Sequence, residues 1–243
     1  PPPRSPLDPP PFEHSFPTRR SSDLFFAADR HHGVMTEHHA LGGRTVSIDP
    51  ALEGGSVVAT EGSWRGHVRL ADVPITRNGT IGFQVENVMA TVGAAWGAGL
   101  AWEAIRSGLA TFVNDARTVP GRFNVMDYRG ATVVADYGHN PDAMRALVAA
   151  VEAMPAKRRS VVVSAAGDRR DQDIREQTVI LGAAFDDVLL YQDAAQRGRA
   201  DGEVMALLRE GLEGARRTTH VEEIRGEFVA IDAALARLAP GDL

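Results

Sequence analysis

Apolar positions along the chain follow two rhythms. Val85, Val88, Met89, Val92 and Trp96 recur at three- and four-residue spacing, which lines one face of a helix. Gly97 and Gly99 end that helix. A second helix follows, with Trp102, Ile105, Leu109 and Phe112 on one side. Upstream, the runs Thr45–Ile48, Ser56–Thr60 and His67–Ile75 read as short strands set off by Gly and Asp. The segment "TVPGRF" (Thr118–Phe123) is a Pro/Gly break and the expected boundary between two units, 25–119 and 120–243.

Past that break strand and helix patterns alternate. "FNVMDY" and "ATVVADYG" form a hairpin about Arg129–Gly130. The next helix starts at Asn140, an N-cap residue, with Pro141 in its first turn and Met144, Leu147, Val148 and Val151 on its apolar face. "SVVVSAAG" (Ser160–Gly167) is a continuous apolar run, the signature of a strand buried on both faces. A helix carrying Ile174, Thr178, Leu181 and Phe185 follows, then strand "DVLLYQ", helix "GEVMALLREGL", strand "THVEEI" and helix "EFVAIDAALARLA". This alternation predicts an α/β fold, a mostly parallel Rossmann-like sheet flanked by helices with right-handed crossovers. The tail of another α/β unit precedes it.

Residues 1–24 interrupt this picture. "SFPTRRSSDL" (Ser15–Leu24) back-translates into a common sequencing-adapter oligonucleotide read in one frame, after a Pro-rich start. We read 1–24 as an artefactual or disordered tail without chemistry; a genuine Pro/Ser/Arg tail is the alternative. The pattern then starts abruptly near Phe25 and stops at "PGDL", where the alternation calls for another strand, so the expectation is a fragment. Its open sheet edge implies marginal stability.

Composition narrows the function. The chain has 243 residues, 44% hydrophobic and 24% charged, as in ordinary globular proteins. A net charge of −6 gives no basic footprint for nucleic acid. With no cysteine there are no disulfides, thiolate nucleophiles or Cys-ligated zinc, which fits a cytoplasmic location. No apolar run reaches the roughly 18–20 residues of a membrane span, and the N-terminus lacks the order of a signal peptide.

Candidate chemistry lies at strand ends, where open parallel sheets bind ligands. "DYGHNP" (Asp136–Pro141) and "GDRRD" (Gly167–Asp171) each join a strand to a helix N-terminus, whose free N–H groups favour anions. Asp136 could accept from ribose hydroxyls, His139 and Asn140 could touch phosphate or sugar, and Arg169 and Arg170 could neutralise phosphate or carboxylate. Asn140 and Asp168 or Asp171 equally read as helix caps. Arg197 and Arg199, in "QRGR", could grip a carboxylate or sit in a solvated loop. "HHGVMTEHH" (His31–His39) lacks H-E-x-x-H order and reads as a solvated loop, so no metal ligands are assigned. Neither G-x-x-x-x-G-K-[ST] nor G-x-G-x-x-G is present, which argues against a self-sufficient ATPase or dinucleotide enzyme within these residues.

The segments "GFQVENVMA", "PGRFN", "VADYGHNP" and "GDRRDQD" resemble hallmarks of Mur ligase-type enzymes, and "RGRADGE" (Arg197–Glu203) is similar to the Mur-like module of the cyanophycin synthetases. The resemblance implies the end of a central ATPase domain followed by a ligase domain closing over ATP and Mg2+, with most magnesium ligands upstream. ATP would phosphorylate a carboxylate, and an amine would attack the acyl phosphate. In the cyanophycin type the amine is arginine and the acceptor an aspartate side chain of a peptide-like backbone. By motif, Asn87 would lie near adenine, Arg122 would reach the phosphates, and Asp136 would hold the ribose beside His139 and Asn140. Arg122 and His139 are thus the catalytic candidates. Arg169, Asp171, Arg197 and Arg199 would face the incoming amino acid. In "YQDAAQRGR" only Asp193 is acidic, a departure from the acid-rich family segment. Other Mur-type ligases, of cell-wall peptides or folate glutamylation, and a non-catalytic nucleotide- or peptide-binding module stay open. A homo-oligomer is compatible with the full-length enzyme. A chain lacking the phosphate cradle is expected to show no turnover alone.

Overall fold

The computed structural model describes residues 23–243. Residues 1–22 of the suspect tail lie outside the described residues. Leu24, also assigned to that tail, opens strand β1 (Leu24–Asp29) and packs against the first core.

The first half is a four-stranded sheet, β1–β2 (Arg44–Asp49)–β3 (Ser56–Glu61)–β4 (Trp64–Arg69), in that spatial order. β1 and β2 run parallel and the remaining pairs antiparallel. The amphipathic stripe read from the sequence puts α2 (Gly82–Gly97) across this sheet, with Val85, Val88, Met89 and Val92 buried against Val46, Val57 and Ala59. α3 (Trp102–Thr111) adds Ile105 and Leu109, while Phe112 falls beyond the helix and is exposed. Trp64 contacts both Trp96 and Trp102, at ring separations of 5.1 and 5.4 Å. Gly66 on β4 makes room for the two rings of Trp64 and Trp102, since a Cβ there would fall within 3 Å of both.

Two expectations fail here for physical reasons. The strand expected to reach Ile75 stops at Arg69 and gives way to 3-10 turns at Leu70–Asp72 and Pro74–Thr76. Pro74 has no N–H for a ladder, and the Thr76 hydroxyl donates to the Leu70 and Val73 carbonyls at 2.8 and 2.9 Å, closing the turn. The histidine-rich loop instead contains α1 (Gly33–Ala40), capped by the His32 ring. Its His38 is buried, edge-on to Phe25 and 2.9 Å from the Asp23 carbonyl. A helix with so few apolar residues gives almost no periodic signal. Among the described residues no group of three or more His, Asp or Glu side chains is gathered for a metal.

The second half opens with hairpin β5 (Asn124–Tyr128)–β6 (Ala131–Ala135), turned by Arg129 and Gly130, both at positive φ. α4 (Pro141–Glu152) follows, capped by Asn140, whose side chain accepts from Ala143 N–H at 2.8 Å. β7 (Ser160–Val163), β8 (Asp187–Gln192) and β9 (His220–Arg225) then form a parallel sheet in that order. α5 (Asp171–Gly182) and α6 (Glu203–Leu212) connect its strands and pack on each other; α7 (Glu227–Arg237) lies across all three strands. The expected mostly parallel, helix-flanked sheet is therefore present. The expectation of a strand buried on both faces at Ser160–Gly167 fails: β7 is shorter than the apolar run and mostly half-buried, and β8 is the buried strand. The second core gathers Met144, Ile174, Leu181, Leu190 and Leu208, and Ile81 and Phe123 belong to it too. Phe83 at the start of α2 stacks edge-on with Phe123 at 5.2 Å, so the two halves meet at this aromatic pair.

Candidate functional site

The loop after β6 is built around Asp136. Its Oδ1 accepts from Gly138 N–H at 2.6 Å, turning the chain so that His139 and Asn140 follow at the start of α4. Tyr137 N–H donates to the Gly121 carbonyl at 2.8 Å, tying this loop to the "PGRF" segment. The Arg122 guanidinium lies over the Tyr137 ring, 5.6 Å from its centre. The His139 ring lies 5.5 Å from Tyr137 on centroids, and its Nδ1 is 3.1 Å from the Tyr137 carbonyl oxygen. Arg122, Asp136, His139 and Asn140 are thus brought together, with the exposed Tyr137 as their common surface. Tyr137 stands inside the motif "DYGHNP", where the sequence reading gave it no part. Phe123 holds φ of +54°, a left-handed conformation that a bulky residue adopts only when its surroundings require it. Here the Phe123 ring is buried in the second core and stacks edge-on with Phe83.

Asn87 stands on α2, one turn beyond Phe83, and donates to the buried Gln84 at 3.1 Å. It shares the helix face of Phe83, whose ring stacks on Phe123, the residue after Arg122.

The loops after β7 and β8 form the second cluster. Arg199 is 15% exposed at its side chain, and its donors are taken up within the protein. It reaches the Gly167 carbonyl at 2.6 Å, the Arg169 carbonyl at 2.7 Å, Asp171 at 2.8 Å and Glu203 at 2.6 Å. Its hydrogen bond holds the Asp171 carboxyl below the ordinary 3.8. Arg199 therefore laces the two loops together. Asp171 is the first residue of α5, whose N-cap, Arg170, makes no side-chain cap; Arg170 instead clamps Asp173 at 2.8 and 2.9 Å. Arg197, also at positive φ, is half exposed and only 3.4 Å at closest from the half-exposed Asp168. Arg169 is exposed. Gly167 is dictated by contact, because a Cβ there would collide with the Gln196 carbonyl oxygen.

The first loop follows β6 of the two-stranded sheet and the other two follow β7 and β8 of the three-stranded one. The helices behind them are tied, since Arg145 of α4 pairs with Glu176 of α5. Tyr191, at the end of β8, is half-buried; burial first, then the nearby Glu227, Asp193 and Tyr137, push its phenol up to about 12. It therefore stays neutral.

In comparison with known families, residues 121–243 match the model for the Mur ligase, glutamate ligase domain. The chain belongs to the Mur ligase family. Among similar Mur ligases is the cyanophycin synthetase of Synechocystis sp., 34% identical over 212 residues, covering 87% of this chain and 24% of that protein. The UDP-N-acetylmuramoyl-L-alanyl-D-glutamate–2,6-diaminopimelate ligase of Geobacillus kaustophilus is 28% identical over 162 residues, 66% of this chain and 32% of that one. The chain thus spans about a quarter of the length of the cyanophycin synthetases it matches. Two solved structures share the fold. A murein peptide ligase of Psychrobacter arcticus superposes at TM-score 0.55 with 12% identity, over 92% of this chain and 47% of that one. A Mycobacterium tuberculosis folylpolyglutamate synthase superposes at 0.54 with 20% identity, over 84% and 45%.

Proposed function

We propose that these residues form the closing half of an ATP-dependent ligase that joins an amino acid to a peptide-like carboxylate. The observation that carries this reading is the pair of polar loops at strand ends whose following helices are tied by Arg145 and Glu176, with Arg122 lying over the Tyr137 ring of the first loop. In this reading the chain has two domains, 25–119 and 120–243, and Thr118–Phe123 is the hinge. A carboxylate oxygen of the acceptor takes the γ-phosphoryl group of ATP and ADP leaves. The amine then attacks the carbonyl carbon, phosphate leaves with the C–O bond's electron pair, and the amine's proton is lost.

Each residue has a part. Arg122 neutralises charge on the phosphates, and Asp136 accepts from the ribose hydroxyls. His139 and Asn140 complete the nucleotide face, although the Asn140 oxygen is already spent on the α4 cap. Asn87 lies toward adenine. Arg169, Asp171 and Arg197 face the incoming amino acid, and Arg199 positions them. Closure of the hinge excludes water, which protects the acyl phosphate. Mg2+ would neutralise phosphate charge; the described residues offer no ligand cluster for it, so no step is assigned to it.

The relatives favour the cyanophycin type, with arginine added to an aspartate side chain. A second reading rests on the half-exposed Arg197 and the acid-poor loop around Asp193: an amine bearing its own carboxylate, such as glutamate or diaminopimelate, would pair with that cation. Amino-acid-dependent ADP formation by the full-length protein, tested one amino acid at a time, decides between them. Stimulation by arginine alone supports the first and stimulation by an acidic amine the second; no stimulation by any amino acid refutes the ligase reading. The 243-residue chain alone is expected to release no phosphate from ATP, and turnover by it would overturn the half-site reading.

A further inference from the structure

The Arg122 side chain is exposed, yet the backbone on both sides of it is held. It stands between two residues at positive φ, Gly121 at +69° and Phe123 at +54°. The peptide before Arg122 is fixed at its carbonyl, where Gly121 C=O accepts from Tyr137 N–H at 2.8 Å. The peptide after it is fixed in the same way: Asn114 Nδ2 donates to the Arg122 carbonyl at 2.7 Å. One residue back, Gly121 N–H donates to Asn124 Oδ1 at 2.7 Å.

The two asparagines also hold each other. Asn124 Nδ2 donates to Asn114 Oδ1 at 3.2 Å and to the Val119 carbonyl at 3.0 Å. Both oxygens and both nitrogens of the two amides are therefore engaged. Each side chain accepts with one end and donates with the other, which a carboxylate or a hydrocarbon of the same size cannot do. Asn124 is 1% exposed and opens β5, whereas Asn114 is half-buried and lies past the end of α3. The clasp thus crosses the boundary between the two halves. Beside it, Asp115 closes a turn of its own: its Oδ1 accepts from Arg117 N–H and Thr118 N–H, both at 2.8 Å. That carboxylate bonds to neither peptide of Arg122.

We propose that Asn114 and Asn124 are positioning residues for Arg122. They pin the turn from which its side chain leaves, so the guanidinium keeps its place over Tyr137 and meets an anion already oriented. The proposal rests on the reading of Arg122 as the phosphate-facing residue of a ligase. An arginine on a free loop would lose backbone as well as side-chain freedom on binding; here the backbone share is met when the chain folds. Asn114 also follows directly from α3, which packs on α2, the helix that carries Asn87. In the ligase reading the clasp therefore keeps the phosphate-facing arginine in a set relation to the base-facing asparagine.

Asn114→Asp is the deciding variant, because it is nearly isosteric, still accepts from Asn124 and cannot donate to Arg122. Asp115→Ala is the control, since it deletes the hydrogen bonds of the adjoining turn. In the 243-residue chain, NMR reads the ring-current displacement that Tyr137 imposes on the Arg122 side-chain protons, with Tyr137→Leu as the zero. Asn114→Asp is expected to lose at least half of that displacement, and Asp115→Ala to keep it. In the full-length enzyme Asn114→Asp should lower kcat about tenfold or more and leave the KM for the amino acid unchanged. An undiminished displacement in Asn114→Asp overturns the proposal, and so does an unchanged kcat. An equal loss of displacement in Asp115→Ala overturns it too, because both changes are then merely structural. Should the full-length protein form no ADP with any amino acid, the ligase reading fails, and the displacement alone decides whether the clasp positions Arg122.

Discussion

Arg122 and Gly167 separate function from structure at the level of single residues. Arg122 is exposed and its side-chain contact is the Tyr137 ring, a cation–π contact of about 0.5–1 kcal/mol. In the full-length enzyme Arg122→Ala is expected to lower turnover on the order of 10²-fold. Its melting temperature should shift by less than about 4 °C. A melting loss with unchanged specific activity would make the residue structural. Gly167→Ala is expected to act in reverse order, costing about 1–3 kcal/mol because the new Cβ meets the Gln196 backbone, which a side-chain rotation cannot move aside. Denaturant midpoints measure it. Asp136 was singled out from its place at a strand end, whereas Arg122 entered only through the family resemblance of "PGRFN". The brace made by Arg199 was not legible, since its partners at Gly167, Arg169 and Asp171 lie about thirty positions away.

Whole elements were most legible where the apolar period was strong. α2, α4 and β8 follow it closely, whereas α1 and the turns at Leu70–Thr76 rest on polar hydrogen bonds that leave no period. The packing of α5 on α6 illustrates a contact that a period cannot reveal. Gly211 lies so near the Arg175 carbonyl and the Thr178 hydroxyl that a Cβ would overlap both. Gly211→Ala is expected to push the helices apart at a cost of about 1–3 kcal/mol, read from urea midpoints. The entry to β8 carries an acid-sensitive tie. Asp186 accepts two hydrogen bonds from Arg217, each at 3.0 Å, and one from Arg159 N–H at 2.8 Å; the Arg217 contact first, then the others, hold its carboxyl below the ordinary 3.8. The stability this contributes is fully present above that value and is lost as pH falls through the folded-state value. Asp186→Asn should therefore lower stability at neutral pH and flatten its decline below about pH 4. An unchanged decline would place the acid sensitivity elsewhere.

For the molecule as a whole, two buried clusters joined through Ile81, Phe83 and Phe123 predict unfolding in two stages. The aromatic residues make this directly observable. Trp64, Trp96 and Trp102 all lie in the first half, with Trp64 touching both others, whereas Tyr128, Tyr137 and Tyr191 all lie in the second. Emission excited at the red edge of indole absorption is therefore a private signal of the β1–β4 layer, and the phenol-ring resonances in NMR are a private signal of the second half. A titrant that alters the second while leaving the first silent can be assigned to the second half without a label, a tag or a substitution.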